Sequence, residues 1–232
     1  GMNGFDEIPV LAPVTTRCAF TGNEVITIGV PEAGQVRDAF GGFLEATLAT
    51  QGCAALPSAR LADTGHDFTT FLNTSHAQVL IFTGGSSTSG VDMVRKTLAE
   101  AQATYLFESV QVRPGHPALA ARLADGRIVL GLPGNPLAAY TALYSYLPPL
   151  LAGMRGLPLP PLDTAEIAQD IPALTASSQQ RLIPALVREC RAHPLPRRAS
   201  YMLSGLSKAT HLLVADASGH TAGDRVPLLP VF

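Results

Sequence analysis

Two glycine-bearing turns and a few separated acids are the residues of this chain best suited to chemistry. The first turn, Thr83-Gly84-Gly85-Ser86-Ser87-Thr88-Ser89-Gly90, follows a wholly apolar run and precedes a helical pattern. Glycines let backbone N–H groups approach an anion, hydroxyls add donors, and the N-terminus of a following helix adds a favourable dipole. The second turn is Leu132-Pro133-Gly134-Asn135-Pro136. Its prolines fix φ on either side of a Gly-Asn pair that tolerates left-handed backbone, and Pro136 is suited to open a helix whose first N–H groups stay free for a ligand. Both turns also suit plain connectors, so pattern alone leaves a ligand site and a structural linker open. Glu24, Asp63 and Asp92 are acids that could hold Mg²⁺ through oxygen and offset phosphate charge. Taken in isolation each reads first as a solvated surface acid or helix cap, and Asp92, in the first turn after Gly90, would stabilise a helix with or without a ligand. His116 reads as a polar loop residue with a pH-dependent donor.

The elements that must position these residues alternate. Arg17-Cys18-Ala19-Phe20 predicts a buried strand ended by Thr21-Gly22-Asn23, followed by a helix over residues 38–50 with Phe40, Phe43, Leu44, Thr47 and Leu48 at helical spacing. A strand over 53–57 and a short helix near Phe68, Phe71 and Leu72 come next. Val79-Leu80-Ile81-Phe82 is the strongest strand, an apolar run of the kind found in parallel sheets covered on both faces. Val91, Val94, Leu98 and Ala101 then mark a helix. Residues 118–123 and 127–131 flank Ala124-Asp125-Gly126 as a β-hairpin. A long apolar helix runs from Pro136 to near Gly153. This alternation predicts a doubly wound, mostly parallel α/β domain over 14–156, with ligands at the carboxyl ends of its strands. Leu157-Pro158-Leu159-Pro160-Pro161 predicts a stiff linker. Beyond it, strands over 181–188, 212–215 and 226–229, with turns at 216–219 and 222–224, predict a small all-β domain over 163–232.

The bulk properties narrow the function classes. Of 232 residues, 47% are hydrophobic and 15% charged, enough for a sizeable core. A net charge of -2 and a pI near 6.3 argue against a nucleic-acid partner, which needs a concentrated basic face; Arg197-Arg198 is too small a cluster. No apolar run is long enough to span a membrane, and residues 1–4 lack the pattern of a secretory signal, so a cytoplasmic location is expected. Gly1 before Met2 looks like a remnant of tag removal, which makes Met2 the expected native start. Cys18, Cys53 and Cys190 form no CxxC pair and read as reduced thiols in apolar strands; scattered histidines exclude a recognisable zinc motif.

Taken in order, Thr21-Gly22-Asn23-Glu24, Thr83-Gly84-Gly85 with downstream Asp92, Arg113-Pro114-Gly115-His116-Pro117 and Leu132-Pro133-Gly134-Asn135-Pro136 resemble the molybdopterin molybdotransferase family. This is the MoeA type, which includes the E domain of gephyrin. The likeness covers roughly residues 16–153, with a β-rich tail after it. The same binding domain occurs in MogA-type adenylyltransferases. The resemblance implies a role in molybdenum cofactor biosynthesis: binding molybdopterin or adenylylated molybdopterin and inserting molybdate with Mg²⁺ and release of AMP. It implies that Thr83, Gly84, Gly85 and Ser87 line the phosphate or pterin site, that Pro133, Gly134, Asn135 and Pro136 form the opposite wall, and that Arg113 stands where a Lys is usual. It also implies that Glu24, Asp63 and Asp92 are catalytic, that Glu24 and Asp63 hold the metal, and that Ser200 reaches the site from the tail. The chain departs from the pattern at Asn23 (usually Asp), Ser109 (usually Lys) and Leu186 (usually Arg, with Arg188 nearby). Only residues 2–13 precede the first strand, where the family carries two further domains. These departures keep a second reading open, a binding accessory or sensor module without transferase activity. A third is a scaffold for self-association, since soluble proteins of this kind are expected to form symmetric oligomers.

Overall fold

The computed structural model describes residues 4–84, 93–174, 178–196, 199 and 201–232. The chain begins with β1 (Val14–Phe20), then a two-residue parallel pair, β2 (Val25–Ile26) and β3 (Val36–Arg37). α1 (Phe43–Thr50), β4 (Cys53–Arg60), α2 (Gly65–Thr74), β5 (Val79–Thr83) and α3 (Met93–Glu100) continue the alternation. β6 (Thr104–Phe107), β7 (Val112–Arg113), β8 (Leu119–Arg122), β9 (Ile128–Leu132) and α4 (Pro136–Met154) follow. The first six-stranded sheet has the order β4-β1-β5-β9-β8-β6, parallel from β4 to β9 and antiparallel over β8 and β6.

Alternation along the central strands divides the core into two layers. Val79 and Ile81 of β5, with Ile128, Leu130 and Leu132 of β9, pack against Leu44 and Leu48 of α1 and the apolar side of α4. Leu80 and Phe82 face the other way, onto Phe68, Phe71 and Leu72 of α2 and Val94 and Leu98 of α3. Phe82 stacks on Phe68 at 5.5 Å and meets Phe71 edge-on at 5.3 Å. Helices on both faces make this the doubly wound α/β architecture expected from the wholly apolar run Val79-Leu80-Ile81-Phe82.

The second six-stranded sheet contains β10 (Asp163–Ile167), β11 (Gln180–Arg188), β12 (Arg191–Pro194), β13 (His211–Ala215) and β14 (Arg225–Pro230), in the order β12-β10-β14-β13-β11-β7. It borrows β7 from the earlier part of the chain, with Val112 beside Gln180 and Arg113 beside Arg181. The two sheets also share α4, because Leu206 and Leu212 belong to its core cluster and Val231 and Phe232 pack against that cluster. This explains a helix that is apolar almost all round, with Leu137 to Tyr144 buried without a break.

Several local expectations are corrected. The first helix starts at Phe43 rather than Asp38, because the Asp38 carboxylate is engaged in a turn. It accepts the N–H groups of Phe40 and Gly41 at 2.9 and 3.1 Å and pairs with Arg60. Cys18 and Cys53 are buried strand thiols, and burial, helped by Glu45, pushes Cys18 up to about 12. Cys190 is instead exposed at the turn between β11 and β12, with φ of 61°. In the Gly134-Asn135 pair neither residue is left-handed: Asn135 is extended, with φ of -70° and ψ of 124°. Among the described residues no helix is long and apolar enough to cross a membrane.

Candidate functional site

The carboxyl ends of β1, β5 and β9 open onto a cleft of about 700 Å³. Its floor is stitched by the backbone. Thr21 donates to the Thr83 carbonyl twice, through its N–H at 3.2 Å and its hydroxyl at 2.8 Å. Gly84 N–H donates to the Leu132 carbonyl at 3.1 Å. The three strand ends are therefore locked side by side, and the turns that follow them converge, as expected where parallel strands end.

Gly84 meets two demands at once. Its φ is +81°, and a Cβ built there would stand 2.7 Å from the Thr21 hydroxyl. The turn after β9 lies in van der Waals contact with it: a Cβ on Gly134 would stand 3.6 Å from the Gly84 Cα. Pro136 opens α4 directly behind this contact, and no side chain caps that helix. N–H groups of its first turn therefore lack the usual capping partner. The Thr83 hydroxyl, fully buried beneath the cleft, has no hydrogen-bond partner among the described residues.

The facing wall is acidic and aromatic. Glu24 and the half-buried Asp63 both line it. Asp63 accepts the Asn23 N–H at 3.2 Å, which holds the segment after β4 against the turn after β1. The Glu24 carboxylate folds back over Gly22, where a Cβ would meet both of its oxygens at 3.0 Å. Gly22, with φ of +116°, keeps that space open. The rest of the wall comes from the segment around β2 and β3. Val36 N–H donates to Glu24 O and Asp38 N–H to Ile26 O, both at 2.9 Å. Arg37, Ala39 and Phe40 face the cleft from this segment, and Tyr201 and Leu203 close it from the tail.

The comparison with known families decides the assignment. Residues 18–153, more than half of the chain, match the family model described as "Probable molybdopterin binding domain". The chain belongs to that family. The molybdopterin molybdenumtransferase of Synechococcus elongatus is 29% identical over 222 residues, covering 92% of this chain and 54% of that protein. The molybdopterin molybdenumtransferase of a Nostoc species is 30% identical over 142 residues, 59% of this chain and 33% of that protein. The chain thus spans about half the length of the first of these relatives and less of the second. Among solved structures, a molybdopterin biosynthesis moeA protein from Pyrococcus horikoshii OT3 superposes with a TM-score of 0.77 at 19% identity. That match covers 98% of this chain and 56% of the other, and it shows the shared fold of both sheets.

Within this molybdopterin-binding domain, Thr83, Gly84, Gly134, Asn135 and Pro136 line one cleft together with Glu24 and Asp63, and the two glycine turns stand side by side rather than as opposite walls. Pro133 is buried one residue behind the lining. Arg113 is not brought to the cleft; it is exposed on β7, beside Arg181 of the second sheet. Gly85, Ser87, Asp92 and Ser200 lie outside the described residues. Arg37, Phe40, Tyr201 and Leu203 were not foreseen, because no local pattern marks residues that reach a site only through tertiary packing. Among the described residues no group of three or more His, Cys, Asp or Glu side chains could hold a metal. The two carboxylates of the cleft still suit Mg²⁺, which takes one or two protein carboxylates and keeps water and phosphate oxygens for the rest.

Proposed function

We propose that this chain binds molybdopterin or adenylylated molybdopterin in the cleft lined by Gly84 and Gly134, and works in molybdenum cofactor biosynthesis. The observation that carries the reading is the apposition of the two turns, with a Cβ on Gly134 only 3.6 Å from the Gly84 Cα. With the Gly84 N–H already donated to the Leu132 carbonyl, the two glycines serve by leaving the cleft free of side chains, so that an anion can approach the N–H groups at the start of α4. The uncapped start of α4 adds its positive end to the same place. Family membership over residues 18–153 supports the pterin phosphate as the ligand class.

The names of the relatives make transfer of molybdate to the bound pterin the proposed activity. Glu24 and Asp63 are the proposed Mg²⁺ ligands, and the ion, when bound, offsets phosphate charge and polarises phosphoryl oxygens. Asp63 is oriented by the Asn23 N–H on one oxygen and keeps the other for a ligand. Residues 14–156 supply the turns and acids in this reading, and residues 163–232 supply the cover. A cytoplasmic location and symmetric self-association belong to the same proposal.

The test is a titration of the purified chain with molybdopterin, followed by pterin fluorescence, alongside a Gly84→Val variant. Binding by the parent chain that the variant abolishes is the expected result; absence of pterin binding by the parent chain refutes the proposal. A second measurement follows AMP release from adenylylated molybdopterin with molybdate and Mg²⁺. Binding without any AMP release would remove the transferase step and leave the binding function.

A further inference from the structure

The cleft has an imbalance of charge that its proposed ligand must meet. Glu24 and Asp63 put two carboxylates on its wall, yet a pterin phosphate is itself an anion. The Gly84 N–H is already donated to the Leu132 carbonyl, and the N–H groups at the start of α4 carry only partial charges. Arg113, the cation that the family resemblance pointed to, stands outside the lining on β7. Among the described residues of the cleft, the one full positive charge is Arg37.

Arg37 is also held in place. It lies on β3, registered against Ile26 of β2, and the turn that follows it is fixed by Asp38. The Asp38 carboxylate pairs with Arg60 of β4, which ties the segment back to the first sheet. The Arg37 Nη1 group donates to the Gly29 carbonyl at 3.0 Å, so one arm of the guanidinium is anchored. An anchored fork pays less ordering entropy on meeting an anion than a free one, and its planar donors match a phosphate edge.

Resting on the pterin-phosphate reading above, we propose that Arg37 recognises the phosphate of the ligand and makes the cleft select phosphorylated pterins over their alcohols. A charge-assisted hydrogen bond of this kind is worth about tenfold to a hundredfold in affinity.

The probe is a pair of fluorescent compounds that differ only at the phosphate, 6-hydroxymethylpterin and its phosphate ester. Each is titrated against the parent chain, R37Q, R37K and R113Q, and against the double variant R197Q/R198Q, whose positions lie outside the described residues. Arg37 is exposed, so the fold tolerates its replacement; unchanged far-ultraviolet circular dichroism checks this. The parent chain is expected to bind the ester at least about tenfold tighter than the alcohol. R37Q should bring that ratio close to one without weakening the alcohol, and R37K should keep part of it through its point charge. R113Q and R197Q/R198Q should keep all of it. If R37Q retains the full ratio, or if R113Q or R197Q/R198Q loses it, the inference is overturned while the binding function stands. A parent chain that binds both compounds equally also overturns it. A parent chain that binds neither refutes the underlying reading itself.

Discussion

Replacing Gly84 by Ala tests whether the contact between the first two turns is built as the geometry requires. The new Cβ would have to adopt a φ of +81° and stand 2.7 Å from the Thr21 hydroxyl, which itself donates to the Thr83 carbonyl at 2.8 Å. The left-handed backbone costs a residue with a side chain about 1–2 kcal/mol. Pushing the Thr21 hydroxyl aside forfeits a further ~1 kcal/mol of hydrogen bonding. The expected loss is therefore about 2–3 kcal/mol, a fall in Tm of roughly 4–12 °C for a chain of this size. Thermal and urea unfolding of the parent, Gly84→Ala, Thr21→Ala and the double variant measure it. The steric part should disappear when Thr21 loses its hydroxyl, so the Gly84→Ala cost should be ~1 kcal/mol smaller in the Thr21→Ala background. Strict additivity of the two substitutions, or a Gly84→Ala cost below about 0.5 kcal/mol, would refute the reasoning.

Phe82→Ala should be the more damaging core substitution, because its ring is stacked on Phe68 and edge-on to Phe71 with almost no exposure. The expected loss is about 3–5 kcal/mol, and a urea midpoint near that of the parent chain would contradict the packing described for that layer. Burial raises the phenol of Tyr144 and that of Tyr146 from 10.0 to about 12, and moves Tyr140 in the same direction. A group whose folded pKa is raised contributes stability that is complete below its unfolded pKa and is lost as pH climbs through the folded one. Stability should therefore decline between pH 10 and about 12, with most phenolate absorbance appearing together with the loss of circular dichroism. Full tyrosine ionisation near pH 10 in a still-folded chain would refute this.

Much of the first sheet was legible because its signals are local. Val79-Leu80-Ile81-Phe82 is apolar at every position, and Pro136 suits the first turn of a helix. Asp125 and Gly126 between two apolar runs announced the β8–β9 hairpin. The elements that escaped notice have no such signature. Two-residue strands such as Val25–Ile26 and Val112–Arg113 are too short to show a period, and they exist only because partners arrive from elsewhere. Asp163–Ile167 was hidden because its exposed first residues, Asp163 and Thr164, carry no apolar run. The site divides in the same way. Its two glycine turns stand on their own residue types, whereas Arg37 and Phe40 reach it through a turn organised by Asp38 and Arg60, whose pairing no spacing rule links. Arg113 shows the converse: its residue type suits an anion, but strand pairing takes it to the second sheet.

The sharing of α4 between the two sheets also sets the order in which the chain can mature. Leu206, Leu212, Val231 and Phe232 cover a face of a helix that ends at Met154, so the last cover arrives 78 residues after the helix is complete. At ribosomal rates of about 5–20 residues per second, that apolar face waits roughly 4–16 s during synthesis. The turns around Gly84 and Gly134 can come together in that interval, but the helix behind them remains sticky until the tail folds over it. The chain should consequently depend on holding chaperones late in its translation, and slow decoding of residues 155–205 should cost more yield than slow decoding before β9.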